Sequence, residues 1–286
     1  MMGQVALAGM ESLLQLVFLL VLAPVCGWML DVLPRWLNGE AVIGPGQRWR
    51  QAARFWRLLS VAPLPPSFAL CLAALLVVLL ALPAVTTGTA LISLADPLMM
   101  GTLLLSVRPL LGLVTLREEV RRILPALLVL CLTEALVALG APGADGLGGL
   151  AAMLHIEPVP GLEGALVACA LALGIACPPL RSGDVTLMMG AVRGRETREA
   201  GRVLADVLNC GWVLLLADLA LPISIGLAGQ GMVGWCAGLG ALWGRMLLAV
   251  LVLTGLRLTG QERSGRLTAL FAGFALLLAL AGRFAT

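Results

Sequence analysis

Charged and aromatic side chains are scarce in this chain, and two residue types are missing altogether. Only 12% of the 286 residues are charged and 5% are aromatic, and neither lysine nor tyrosine occurs. Hydrophobic residues reach 60% and the mean hydropathy is +1.02, so too little polar surface is available to cover a water-soluble globule. The composition therefore excludes an ordinary soluble domain and predicts a membrane protein.

The near absence of histidine and the placement of cysteine limit the redox chemistry of the chain. His155 is the single histidine, so a haem held between two transmembrane histidines cannot be built. The seven cysteines include no Cys-x-x-Cys pair and all lie in or beside apolar runs, which indicates packing rather than metal binding. The net charge of +3 says little about nucleic acid, but membrane topology explains the arginines, so nucleic-acid binding is not expected. We expect no catalytic residue, metal or cofactor in this chain itself.

Long apolar windows are abundant, and a bilayer core requires about 20 apolar residues for each helical crossing. The windows are rich in leucine and alanine and show no alternation of polar and apolar residues, which favours helices over an outer-membrane barrel. We predict an all-α polytopic membrane protein, with a single transmembrane domain over 1–286 and about eight transmembrane helices. The windows are 11–31, 67–86, 91–115, 123–140, 162–180, 204–225, 233–256 and 267–284.

The arginines are distributed unevenly along the chain. Most of them lie in the segments 35–57, 117–122, 181–202 and 257–266, whereas the loops near 87–90, 141–161 and 226–232 hold none. The positive-inside rule assigns the arginine-rich loops to the cytoplasm, so both termini are expected on the outer, periplasmic side of a bacterial cytoplasmic (inner) membrane. No basic residue precedes the first window, which indicates a retained helix rather than a cleaved signal peptide.

Several ionisable residues fall inside the predicted spans, where insertion scales put the cost of a central charge at about 2.5 to 3.5 kcal/mol. One interpretation is structural: Arg108 pairs with Glu134 or Glu118, Asp218 pairs with Arg245, and Asp96 and Asp206 reach headgroups at the two interfaces. The other interpretation is a polar path for protons or ions that begins at carboxylates near the cytoplasm. The candidate path residues are Asp96, Arg108, Glu118, Glu119, Glu134, Asp184, Asp206, Asp218 and Arg245.

Two cytoplasmic segments carry more charge than a connector requires. The segment 44–59 starts with Gly-Pro-Gly and continues as an amphipathic surface helix, with Trp49, Ala53 and Trp56 on an aromatic face opposite a row of arginines. The second segment is the charged loop 181–203. The helix lies on the inner leaflet or forms a docking platform for a cytoplasmic partner. The candidate docking residues are Arg48, Arg50, Arg54, Arg57, Arg193, Arg195 and Arg198.

The order of short motifs along the chain resembles a known family. Residues 20–27, Leu-Val-Leu-Ala-Pro-Val-Cys-Gly, are similar to its apolar-Ala-Pro segment, and 44–46 and 57–59 are similar to its Gly-Pro-Gly turn and Lys-Leu-Leu helix end. Residues 81–88, 94–96 and Arg108 then match in order its Leu-Pro-Val-Val, Leu-Gly-Asp and arginine. The chain thus resembles the membrane subunit shared by respiratory complex I, as NADH dehydrogenase subunit 1, by formate hydrogenlyase and by the other group 4 energy-converting [NiFe] hydrogenases.

The chain also departs from that family. An Asp-Thr-Gly-Ser-Pro-Phe stretch is missing between Thr115 and Arg117, and the acidic loop after the fifth predicted helix keeps a carboxylate only at Asp184. Asn209 stands where the family has a lysine, and Leu124 where it has a glutamate before proline.

The resemblance implies a non-catalytic membrane-anchor subunit of a redox complex. Its hydrophilic hydrogenase-like partners on the cytoplasmic side would hold iron–sulfur clusters and a [NiFe] centre, and antiporter-like membrane subunits and lipid would surround it. The implied role is to dock the iron–sulfur arm and to link electron transfer to proton or ion translocation. The alternatives are a stand-alone secondary transporter and a structural scaffold with a degenerate ion path.

Overall fold

The computed structural model describes residues 2–41, 44–59, 65–87, 95–111, 116–181, 195–227 and 231–284, without the side chains at 2–8, 58, 116–122 and 195–198. Within these ranges the chain is mostly helical, and the β contact found there is an isolated parallel bridge between Thr86 and Gly226. The prediction of an all-α fold is therefore confirmed. The helices are α1 (Met2–Leu37), α2 (Gly46–Leu59), α3 (Pro66–Ala81), α4 (Pro97–Leu110), α5 (Leu116–Gly140), α6 (Gly146–Ile156), α7 (Leu162–Ala176), α8 (Arg195–Ala220), α9 (Gly231–Leu258) and α10 (Gly265–Phe284).

Each predicted apolar window overlaps one helix, but the helices differ in length. Five segments are long and apolar enough to cross a membrane: Gly9–Leu37, Ile123–Gly140, Glu199–Ala220, Gly231–Leu258 and Gly265–Phe284. Helices α3, α4 and α7 have only 14 to 16 residues, or about 21 to 24 Å of helix. Helix α6 lies in the region 141–161, where the sequence predicted only a loop.

Helix α8 forms the centre of the bundle. In its apolar span 89% of the residues are buried, compared with 17% in α10. It packs against α1, α3, α4, α7 and α9, and leucines such as Leu204 and Leu215 have no exposed surface. Helix α10 lies at the periphery and exposes Leu270 and Leu277. These outward apolar faces suit contact with acyl chains, whereas the polar side chains of α8 must find partners inside the protein.

Helices α7 and α10 approach closely because small residues lie between them. A side chain at Gly282 would overlap the carbonyl oxygen of Pro160, and one at Gly161 would overlap the carbonyl oxygen of Leu278. Gly161 also has φ +80°, which favours glycine. Small residues at such contacts are the usual means of close helix packing in membranes.

Candidate functional site

The first notable feature inside the bundle is a pair of segments outside the α-helices, 82–87 and 221–226, which we call the first break; the second segment contains a single 3-10 turn at Pro222–Ser224. Leu82 and Val85 are fully buried. Gln15 of α1 bonds to both of them, since its Nε2 donates to the Leu82 carbonyl (2.5 Å) and its Oε1 accepts from the Val85 N–H (3.2 Å). The Gly226 N–H donates to the Val85 carbonyl (3.1 Å), and the Thr87 N–H donates to the Gly226 carbonyl (2.8 Å). These bonds satisfy backbone groups that have no water at membrane depth.

The buried ion pair Asp218–Arg245 lies at the first break. Arg245 Nη2 is 3.0 Å from Asp218 Oδ1, and the two side chains are 1% and 0% exposed. The same nitrogen donates to the carbonyls of Pro83 (3.4 Å) and Ala84, and Nη1 lies 3.3 Å from the Ser224 hydroxyl. The predicted pairing of Asp218 with Arg245 is confirmed. Arg245 therefore holds the broken backbone, while Asp218 compensates its charge.

The second break is the non-helical segment 177–180, which follows α7. Its prolines, Pro178 and Pro179, have no N–H and stop the helix. Asn209 of α8 takes the place of a backbone partner, because its Oδ1 accepts from the Leu180 N–H (2.8 Å) and its Nδ2 donates to the Leu180 carbonyl (2.9 Å). Asn209 thus holds the backbone of the second break.

Two arginines donate to the proline carbonyls of the second break. Arg108 Nη1 lies 3.1 Å from the Pro178 carbonyl and 2.8 Å from Cys177 Sγ. Arg257 Nη2 donates to the Pro179 carbonyl (3.3 Å). Each break is therefore held by one side-chain amide and at least one guanidinium.

The predicted pairing of Arg108 with Glu134 is wrong. Glu134 lies near Asp96 and the backbone of Leu98 at the start of α4. Arg108 lies near the other end of that helix, about 15 Å further along its axis. In the second break, which the hydropathy windows did not reveal, the Pro178 carbonyl and the Cys177 sulfur accept from Arg108. The alternative partner, Glu118, has its side chain outside the described part of the chain, so that pairing stays a prediction.

A three-residue charge cluster, Asp31–Arg48–Asp206, joins α1, α2 and α8. Arg48 Nη1 is 2.5 Å from Asp206 Oδ1, and Nη2 pairs with Asp31. The three side chains are only 15% to 17% exposed. Arg48 was predicted to dock a partner and Asp206 to reach headgroups; instead the two are bonded to each other. Gly27 leaves the necessary room, since a side chain there would overlap Asp206.

A small polar cavity separates this cluster from the second break. Besides the three charged residues, the side chains of Gln51, Arg202 and Asn209 line it, together with Leu180. Asn209 thus contacts the second break and the cavity beside the charge cluster. The arrangement joins the surface helix α2 to the interior of the bundle through polar groups.

The surface helix α2 is amphipathic as predicted, but its buried face differs from the predicted one. Ala52 and Phe55 are buried, whereas Trp49 is 38% exposed. The helix is therefore turned by about one residue from the predicted aromatic face. The ion pairs of Arg48, one turn before Ala52, fix this orientation against α1 and α8.

Of the predicted docking residues that the structure describes, Arg50, Arg54 and Arg57 are exposed. Arg54 lies 3.9 Å from Glu199 at the start of α8, an exposed contact that contributes little stability. The residue Arg193 and the side chains of Arg195 and Arg198 lie outside the described part of the chain.

A further set of ion pairs lies at the same end of the bundle as the charge cluster. Glu262, in the loop between α9 and α10, is 2.6 Å from both Arg257 Nε and Arg181 Nη2. Burial by itself would raise the pKa of Glu262, but hydrogen bonds and attraction from Arg257 and Arg181 outweigh it and hold the pKa below its ordinary value. This network connects the second break to the loop before α10.

The predicted path residues fall at several separate places. Asp96 lies near Glu134, Asp218 and Arg245 lie at the first break, and Asp206 lies in the charge cluster about 18 Å from Asp218 along α8. Asp184 and the side chains of Glu118 and Glu119 lie outside the part of the chain that the structure describes. The sequence analysis missed Gln15, Asp31 and Glu262. The available signals for these polar sites were a polar residue in an apolar run and prolines inside predicted spans.

Comparison with known proteins adds no identification, since no protein-family model and no curated protein matches the chain. Among the described residues, no group of histidine, cysteine, aspartate or glutamate side chains is arranged to hold a metal ion.

Proposed function

We propose that this chain is the membrane-anchor subunit of a complex I-like or energy-converting-hydrogenase-like redox complex in the bacterial inner membrane. The observation that carries the proposal is the concentration of exposed arginines and surface helix α2 at one end of the bundle, the basic end. Contacts of Arg48, Arg54 and Arg257 tie together α2, the end of α1, the start of α8 and the second break there. The positive-inside rule assigns this end to the cytoplasm. An eight-span topology with both termini outside belongs to the proposal.

The positions of the family-like motifs support this proposal. The segment 81–88 includes one of the two segments of the first break, Arg108 bonds to the second break, and Gly27 makes room for the charge cluster. The turn 44–46 leads into α2. The motifs thus lie at breaks, turns and close contacts rather than in regular helix packing. These are the positions where proteins that share an architecture are expected to share residues.

In the proposed complex, hydrophilic subunits bind at the basic end through the exposed arginines of α2 and bring iron–sulfur clusters close to the membrane. Reduction of such a cluster changes the local charge, and charges in a poorly solvated bundle respond to it strongly. The Asp31–Arg48–Asp206 cluster lies directly beneath α2 and beside the second break. It is the proposed element through which electron transfer biases proton or ion movement.

A specific observation favours a second candidate, a stand-alone secondary transporter. Discontinuous helices with charged groups inside the bundle are typical of transporter binding sites, and two such breaks occur within the described part of this chain. Here, however, arginine side chains already donate to the carbonyls of Pro83, Ala84 and Pro178. A structural scaffold without ion movement is the remaining alternative.

Purification in a mild detergent distinguishes these functions. The proposal expects iron–sulfur and hydrogenase-like subunits to co-purify in fixed stoichiometry, identified by mass spectrometry and by the absorbance of the clusters. A monodisperse lone protein that transports a solute in proteoliposomes would replace the proposal with the transporter. Co-purification without redox-linked ion movement would support the structural scaffold.

A further inference from the structure

The position of one exposed arginine is explained neither by the positive-inside rule nor by a contact with either break. Among the arginines outside the four basic segments, Arg108 and Arg245 bond to backbone carbonyls inside the bundle. Arg283 is instead exposed in the last turn of α10, at the end of the bundle opposite to the basic end. Its Nη2 donates to the Leu139 carbonyl at the end of α5 (3.2 Å). A cation on this side runs against the charge bias of the chain.

Arg283 lies at the rim of an apolar groove between the ends of α5 and α10. The cavity volume of the groove is about 180 Å³, compared with the roughly 10–15 Å³ that a single water molecule requires on the same measure. Its walls include Leu136, Leu276 and Leu280, and its small residues include Gly140, Ala279 and Gly282. Leu280 is 52% exposed, so the groove opens to the surroundings of the bundle. Among the described residues that line the groove, Arg283 alone is charged.

The apolar groove and Arg283 are aligned as the acyl chain and the headgroup of a membrane lipid would be. Leu276 precedes Arg283 by two turns of α10, or about 10 Å toward the middle of the membrane. A molecule with its anionic group at Arg283 would therefore place an apolar chain beside Leu280 and Leu276. The planar guanidinium binds phosphate oxygens well.

We propose that this groove binds one anionic phospholipid, with the phosphate at Arg283 and an acyl chain along α5 and α10. The charge of Arg283, the apolar walls and the opening toward the bilayer all match this one occupant. The inference depends on insertion of the chain in a membrane and is independent of the proposed redox partners.

The test compares retention of phosphatidylglycerol and zwitterionic phosphatidylcholine by the purified full-length chain, measured by native mass spectrometry. Wild type should retain one phosphatidylglycerol in preference to phosphatidylcholine. Arg283→Gln should reduce that preference roughly tenfold, because one charge-assisted contact is lost. Ala279→Leu should reduce retention of both lipids by filling the groove, with Arg283 intact.

Arg266→Gln is the matched control, since Arg266 is also exposed on α10 but lies at the basic end. It should leave phosphatidylglycerol retention unchanged, and the thermal transition of each variant establishes that it is folded. The proposal is overturned if Arg283→Gln and Arg266→Gln have equal effects, or if Ala279→Leu retains lipid as wild type does. Absence of bound phospholipid from wild type would also overturn it.

Discussion

Replacing Asn209 with leucine tests whether side-chain amides hold the broken backbone. Leucine has a similar size, but it cannot accept from the Leu180 N–H or donate to the Leu180 carbonyl, which lie 2.8 and 2.9 Å from the amide. Leu180 is 7% exposed, so both groups lose their partner away from water. Each orphaned group costs about 1–3 kcal/mol, which gives an expected loss of about 2–6 kcal/mol. Asn209→Asp keeps the acceptor but not the donor and should retain the Leu180 N–H bond alone.

The assay is reversible unfolding in detergent micelles, followed by the fluorescence of tryptophans, among them buried Trp212 on the same helix. Asn38→Leu is the control for loss of an amide, because Asn38 is exposed after α1; its effect should stay within about 0.5 kcal/mol. If Asn209→Leu also changes the free energy of unfolding by less than about 0.5 kcal/mol, the second break does not depend on this amide and the reasoning is refuted.

Two further predictions concern charged groups. Arg245→Met should destabilise the chain by about 3–5 kcal/mol, since it leaves Asp218 buried without its partner, and Asp218→Asn should recover part of that loss in the double variant; additive losses in a double-mutant cycle would contradict the pairing. Glu262 has a folded-state pKa below its ordinary value of 4.5, so its ion pairs stabilise the fold above that pH and the contribution is lost as the pH falls through the folded pKa. Glu262→Gln should therefore destabilise at neutral pH and converge with wild type in acid unfolding curves, and a difference that does not depend on pH would contradict the assignment.

Hydropathy and charge distribution predicted the helical fold and the approximate positions of its long helices. They also predicted the ion pair between Asp218 and Arg245, because each residue is an isolated charge and the two lie in neighbouring apolar windows. They could not predict the length of α3, α4 and α7, since a buried non-helical segment is as apolar as a helix. Pro83 and Pro178 marked the breaks locally, but whether the freed carbonyls find partners depends on tertiary contacts.

The errors at the candidate site have a common physical cause. Glu134 was one of two predicted partners of Arg108 because a carboxylate is the obvious partner of a buried guanidinium, but the two lie near opposite ends of α4 and Pro178 supplies a backbone carbonyl. The orientation of α2 followed Arg48 rather than the aromatic side chains. Its acidic partners, Asp31 and Asp206, are 17 and 158 residues away in sequence, and no local pattern connects them.

The most direct measurement of the proposed function is the release of a cytoplasmic redox arm from membranes when Arg54 and Arg57 are both replaced by glutamate. These side chains are exposed on α2, so the double variant should stay folded and inserted. Arg266→Glu, an exposed charge reversal at the same end, serves as the control. The account predicts that the iron–sulfur subunits move to the soluble fraction only in the double variant. An arm that stays membrane-bound at ordinary salt in that variant would contradict docking on α2.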